Sequence, residues 1–286
     1  MKKIIVLVLL AAPLQWHPYV AQAGLFGTVT KKAAGKLIQK PKPVKAPASR
    51  TETIHSDGKA NTTKPAVNTL TESELAKYQE ILAKMDREVL DDIVAKYGVY
   101  MGPARMQFAK NTPTTFQDKD AYRTLLRKIE PDLPDAEIEN IMGYHLHATR
   151  KTYIDRNIPV VPHVTAHERI HQLSSPKFAE QFGDGINEGA TSHYALQVRR
   201  HIKLIDVDAT YPEHRAIYQM MDARVGEEPL AKAYFQGDFR ALRQALDDDL
   251  GEGFFDTLSA RLRNDQFEQA REMLLAPSRR WNMFEP

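Results

Sequence analysis

Pro162-His163-Val164-Thr165-Ala166-His167-Glu168-Arg169-Ile170-His171-Gln172-Leu173, followed at once by Ser174-Ser175-Pro176, decides how the rest of the chain is read. Ala166, Ile170 and Leu173 recur at helical spacing and form an apolar stripe, and Ser174-Ser175-Pro176 ends it. His167 and His171 are four apart, so on a helix they lie on one face, one turn above the other. Two imidazoles so placed reach one metal ion, and Glu168 stands beside them to take a proton from a water activated there. The chain has no cysteine, which excludes disulfides, thiol catalysis and cysteine-rich metal sites. Any metal is therefore held by nitrogen and oxygen.

A catalytic zinc takes three protein ligands and keeps one position open, so a third ligand is sought downstream. Ser175 as cap, Pro176 in first position and Gly183 as terminator predict a short helix. Asp184-Gly185 reads as a turn, and a further helix opens at Ile186-Asn187-Glu188-Gly189-Ala190-Thr191-Ser192. Glu188 comes 17 residues after His171, in the first turn of that helix, and a helix-turn-helix return brings it over the first helix. His193 is the competing ligand. It is five residues further on, about 140° around the same helix, so both cannot face one metal. Helix geometry and the known His₂Glu set favour Glu188. A metzincin would need Gly at 174 and His at 177, where this chain has Ser174 and Lys177.

On these residues the chain resembles the gluzincins, zincin metallopeptidases with H-E-x-x-H and a downstream glutamate ligand. Asn187-Glu188-x-x-Thr191 is similar to the N-E-x-x-[S/T] element of the thermolysin-like branch, and Asn187-Glu188-Gly189-x-Thr191-x-x-Tyr194 to secreted bacterial and toxin-associated zincin domains. The resemblance is confined to residues 162–195. It implies one zinc ion on His167, His171 and Glu188, with Glu168 as general base for hydrolysis of a peptide or protein substrate. The fold it implies is α+β and mainly helical, a zincin-like domain with a small sheet preceding the active-site helix. The thermolysin-like pattern carries a carboxylate where this chain has Ser192, so Ser192, a backbone carbonyl or an acid such as Asp184 must orient a ligand histidine. A peptidase also needs an oxyanion donor, for which His193, Tyr194, Tyr211 and His214 are the candidates.

Outside this stretch, Lys2 and Lys3, the apolar run Ile4–Ala12 and Ala21-Gln22-Ala23 read as a cleaved signal peptide over residues 1–23. The run is too short to span a bilayer, so no stable membrane insertion is expected after cleavage, and the mature chain is expected to be periplasmic or secreted. Residues 24–70, rich in Lys, Pro, Ala and Thr, read as a disordered basic linker. Residues 24–65 carry nine Lys/Arg against two acids, while residues 66–286 carry a net charge of −7. The basic charge thus lies in an arm, and nucleic-acid binding is not expected.

The domain is expected over 71–286. Thr71-Glu72-Ser73-Glu74 predicts a capped helix start, followed by Leu75, Tyr78, Ile81, Leu82, Met85, Val89, Leu90 and Ile93 at helical spacing. Helices are also expected near Asp118–Ile129, after Pro134 through Ile141, and from Tyr211 to Leu275 with breaks at Gly226, Gly237 and Gly251. Lys151–Asp155 is the best strand, with a turn at Arg156-Asn157; the zincin architecture that the resemblance implies would make it the edge beside the cleft. His145 and His147 alternate on a possible strand and read as surface or core residues. Asp247-Asp248-Asp249 reads as a solvated helix end, and Trp281 and Phe284 as anchors of the tail. An exported helical interaction protein, or a zinc-stabilised pseudo-enzyme without hydrolytic activity, is the alternative; the sequence leaves the oligomeric state open.

Overall fold

The computed structural model describes residues 70–158, 160–198 and 211–279. The expectations for residues 1–23, for most of the linker and for Trp281 and Phe284 lie outside the described residues.

The first helix, α1 (Glu72–Tyr97), starts as its sequence demands. Thr71 accepts from the Glu74 amide at 3.3 Å, and the Glu74 carboxylate accepts from the Thr71 amide at 2.9 Å, a reciprocal capping box. Leu82, Val89, Leu90 and Ile93 are buried along it, whereas Ile81 is exposed. Asp86 is buried on the same face. Next come α2 (Pro103–Asn111), β1 (Thr115–Gln117), α3 (Lys119–Ile129) and α4 (Asp135–Ile138). Asp118 caps α3 through the Ala121 amide at 2.9 Å.

Strands β2 (Gly143–Leu146) and β3 (Lys151–Asp155) join β1 in one sheet of order β1-β3-β2. β1 runs parallel to β3 and β2 antiparallel, pairing His145 with Thr152 and Leu146 with Lys151. Lys151–Asp155 is therefore the central strand, not the edge; the edge beside the cleft is β2. The reason is burial on both faces. Ile154 packs with Val161 and Val164, while Tyr153 packs with Tyr122 and Ile138. A two-sided apolar strand belongs in the middle of a sheet.

From Val161 the regular elements among the described residues are helical: α5 (Val161–Leu173), α6 (Pro176–Phe182), α7 (Asp184–Val198), α8 (Pro212–Val225), α9 (Glu227–Ala231) continuing into a wider π turn at Lys232–Gln236, α10 (Arg240–Leu250), α11 (Phe254–Arg263) and α12 (Phe267–Leu274). The protein is thus mainly helical with a small three-stranded sheet ahead of α5. Gly226, Gly237 and Gly251 end helices, as their spacing predicts. Asp184-Gly185 is not a separate turn. Gly183, at φ 86°, reverses the chain by itself, and α7 begins at Asp184. Glu188 is consequently in the second turn of α7, not the first.

Two contacts fix the helices that matter for the site. On α5, Arg169 is buried against Asp86 of α1. Its Nε donates to Asp86 Oδ1 at 2.7 Å and its Nη2 to Asp86 Oδ2, while Nη1 reaches the carbonyls of Ala109 (3.1 Å) and Thr112 (2.8 Å). Thr114 completes Asp86 with its hydroxyl at 2.6 Å and its amide at 3.2 Å. On the other side α7 packs between α5 and α8. Gly189 permits this, because a Cβ there would lie 2.5 Å from the His214 carbonyl carbon. The Asp247–Asp249 run is not solvated throughout. Asp247 accepts from the Phe255 amide at 2.9 Å, and Asp249 is buried against Arg224 at 3.1 Å.

Candidate metal centre

The long α5 places His167, Glu168 and His171 in the buried layer between the sheet and α7, and α7 returns Glu188 over them. His167 Nε2 lies 3.1 Å from Glu188 Oε2, His171 Nε2 lies 3.1 Å from Glu188 Oε1, and the two Nε2 atoms are 3.2 Å apart. Four tetrahedral ligands at about 2.0–2.1 Å from a metal stand about 3.3–3.4 Å from one another. The two imidazole nitrogens are spaced close to that edge length, and the Glu188 carboxylate straddles them, one oxygen on each; taken one atom per residue, the three groups lie within 4.8 Å of one another. Among the described residues this is the one group of three His, Asp or Glu able to hold a metal ion.

The outward nitrogens are braced in the sense a metal requires, since a ligand imidazole bonding through Nε2 carries its proton on Nδ1. His167 Nδ1 faces Ser192 Oγ at 3.5 Å, and His171 Nδ1 faces Thr191 Oγ1 at 3.3 Å. Thr191 donates its own proton to the Asn187 carbonyl at 2.7 Å, so its lone pairs are free for His171 and for Tyr234 OH at 2.6 Å. Asn187 adds a second indication. Its Oδ1 is buried without a partner, while its Nδ2 lies 3.4 Å from His171 Nδ1. A half-turn of the amide, equivalent in shape, sets Oδ1 against the Nδ1 proton. Ser192, rather than a carboxylate, thus faces the outward nitrogen of His167. Asp184 makes no hydrogen bond to either ligand; it contributes only a more distant negative charge at His171.

The electrostatics follow from burial and convergence. Burial disfavours a charged His171, yet the charge and hydrogen bond of Glu188, with Glu168 and Asp184 behind, carry its pKa above the ordinary value. Burial likewise pushes the Glu188 carboxyl up, but His171 and His167 outweigh it and hold it below the usual carboxylate range. Glu168 ends the other way: burial raises it, against the pull of His167 and His171. Two neighbouring carboxylates thus have opposite tendencies, one held charged and one poised to take a proton.

An opening of about 100 Å³ above these groups is walled by Ile141, Gly143, Tyr144, His145, His147 and Tyr211. Tyr211 stacks near His167, with centroids 6.1 Å apart; burial, then the charges of Glu188 and Glu168, push its hydroxyl pKa up, so it stays protonated. Of the oxyanion candidates, Tyr211 alone faces this opening. His193 bonds Gln197 at 2.6 Å on the far side of α7, Tyr194 is buried against Tyr218, and His214 packs on Phe267. His193 is thereby removed as a ligand too, for the angular reason given by the helix.

Three features were missed from sequence. His145 and His147 are part of the cleft wall: His145 stacks on His171 with centroids 6.3 Å apart, and burial chiefly holds its pKa down to about 2. Gly143 lies against the general-base candidate, since a Cβ there would sit 2.7 Å from Glu168 Oε1 and 2.5 Å from Val164 Cγ1. Tyr234 props Thr191 from the π turn. Alternation at 143, 145 and 147 was the signal available for the first two, but only the packing of β2 on α5 gives it meaning.

No family model, no curated protein and no solved structure matches this chain.

Proposed function

We propose that the chain is a metal-dependent hydrolase of the zincin class. Within that class we read it as a zinc peptidase of the gluzincin kind, exported by its N-terminal segment to a periplasm or beyond. The observation that carries this is the convergence of His167, His171 and Glu188, one ligand atom from each within 4.8 Å of the others, beside a buried carboxylate and below an opening. The residues fit zinc: two neutral imidazoles and one carboxylate form a borderline set, each histidine is braced behind, and three ligands leave a fourth position free.

Bound there, zinc would polarise the substrate carbonyl and lower the pKa of a water toward about 7. Glu168, raised by burial, accepts the proton of that water and passes it to the leaving amine. Tyr211 keeps its proton and donates to the carbonyl oxygen as charge develops on it. The edge β2 offers unpaired backbone groups to an extended peptide, which adds as a fourth strand across the opening.

The test is Glu168→Gln beside Glu188→Ala. Glu168→Gln is expected to keep one zinc per chain and to lose hydrolysis of unfolded protein by about 10²–10⁴-fold. Glu188→Ala is expected to lose the zinc. Full activity in Glu168→Gln overturns the mechanism, and wild-type protein free of stoichiometric zinc overturns the class. Zinc with no hydrolysis leaves a zinc-stabilised binding protein.

A further inference from the structure

A second hollow, of about 520 Å³, opens at the end of α5 and is walled by Arg105, Phe108, Arg150 and Phe235 with Gly102, Ala104 and Gln236. Its two arginines are tied to the metal-bearing helix just past His171, Arg105 through its guanidinium and Arg150 through its backbone carbonyl. Gln172 Nε2 donates to the Arg150 carbonyl at 2.9 Å, and Arg105 Nη1 donates to the Leu173 carbonyl at 3.1 Å and to the Phe235 carbonyl. These bonds occupy Arg105 Nη1 only. No hydrogen bond or ion pair takes Arg105 Nη2 or the Arg150 guanidinium within the described residues.

The turn between β2 and β3 runs from the wall of the cleft to the wall of the hollow. β2 passes Glu168 at Gly143 and His171 at His145, then turns through His147 to Arg150 before returning as β3. A peptide extended along β2 rises about 3.4 Å per residue, so counted from His145, which stacks on His171, it comes level with the start of the turn at His147 after two residues. Arg150 adopts a left-handed backbone, at φ 54°, which a residue without glycine's freedom adopts only when its surroundings hold it there. His147 walls the opening over the metal centre and Arg150, three positions further along the same turn, walls the hollow. In a region of net charge −7, residues 66–286, the cleft leads to two guanidiniums lacking an internal carboxylate.

We propose that this hollow is a specificity subsite that takes the carboxylate of an aspartate or glutamate two to three positions from the scissile bond. Arg150 is its principal anion contact, and Arg105 and Phe108 form its walls. The alignment with the scissile bond rests on the peptidase reading; the binding of an acidic peptide does not.

The test uses zinc-loaded Glu168→Gln protein, in which turnover is blocked, and fluorescein-labelled decapeptides with Glu, Gln or Lys at the second and third positions on each side of a central Leu-Leu. By anisotropy the Glu peptide is expected to bind about tenfold or more tightly than its Gln counterpart, and the preference to shrink as salt is added. Arg150→Asn, which accepts the left-handed backbone, is expected to abolish the preference, Arg150→Glu to turn it toward the Lys peptide, and Arg150→Lys to retain part of it. Equal binding of Glu and Gln peptides overturns the proposal, as does failure of both to bind or a preference that survives Arg150→Asn and Arg150→Glu. Should the wild type leave the peptides intact while the preference holds, the peptidase reading falls and the acidic subsite stands.

Discussion

Asp86→Ala is expected to be the most damaging single change outside the metal centre. The carboxylate is buried and takes two bonds from the Arg169 guanidinium and two from neutral donors of Thr114. Truncating it strands a guanidinium that is itself 1% exposed and cannot lose its charge. Breaking such a pair from one side costs about 3–5 kcal/mol. For a domain of this size that is a fall in melting temperature of about 6–20 °C. The measurement is thermal and guanidinium unfolding of the zinc-free protein, followed by circular dichroism, for the wild type, Asp86→Ala and Asp86→Ala/Arg169→Met. The double variant removes the stranded charge and is expected to recover part of the loss. A loss below about 1 kcal/mol in Asp86→Ala would mean that water reaches the pair. A double variant no more stable than Asp86→Ala would mean that the uncompensated charge is not the cause.

Other changes probe the site more directly. Gly143→Ala pushes a methyl into Glu168 and Val164, so hydrolysis is expected to fall at least tenfold with zinc content unchanged; normal activity would refute the close approach of β2 to the base. Tyr211→Phe removes the proposed oxyanion donor and is expected to lower kcat by about 10²-fold with little change in KM, whereas a pure KM effect would make it a binding residue only. Zinc affinity is expected to fall as pH falls. Glu188 holds a proton on His171 to above its ordinary 6.5, so binding is full above that raised pKa and weakens below it by about tenfold per unit for each proton displaced. Competition with a chromophoric chelator between about pH 8 and about pH 6 checks this, and a flat affinity would show that no ligand proton is displaced.

Much of the centre was legible because it depends on local spacing. The four-residue step from His167 to His171, the cap of α1 at Thr71 and the helix breaks at Gly183, Gly226, Gly237 and Gly251 are consequences of helix geometry, and geometry is written in sequence. The candidacy of Glu188 over His193 was legible for the same reason, since five residues on a helix is the wrong face. Ser192 was legible as a place where a carboxylate is absent, though not as the hydroxyl 3.5 Å from His167.

What the tertiary structure alone decided is whatever depends on which surfaces meet. Lys151–Asp155 reads as a strand from its own residues, but its central place follows from being covered by Val161 and Val164 on one face and Tyr122 and Ile138 on the other. His145 and His147 carry no sign in the sequence that separates them from surface histidines until β2 is laid on α5. Arg169 and Asp86, 83 positions apart, become one buried pair only when α1 backs the metal-bearing helix. Arg105 and Arg150 likewise share one hollow only because both are tied to its last turn. The sequence by itself singled out His167, Glu168, His171 and Glu188 as a group, because one helix and its return suffice to align them. The walls of the cleft, and so the choice of substrate, come from segments far apart in the chain and are set by packing.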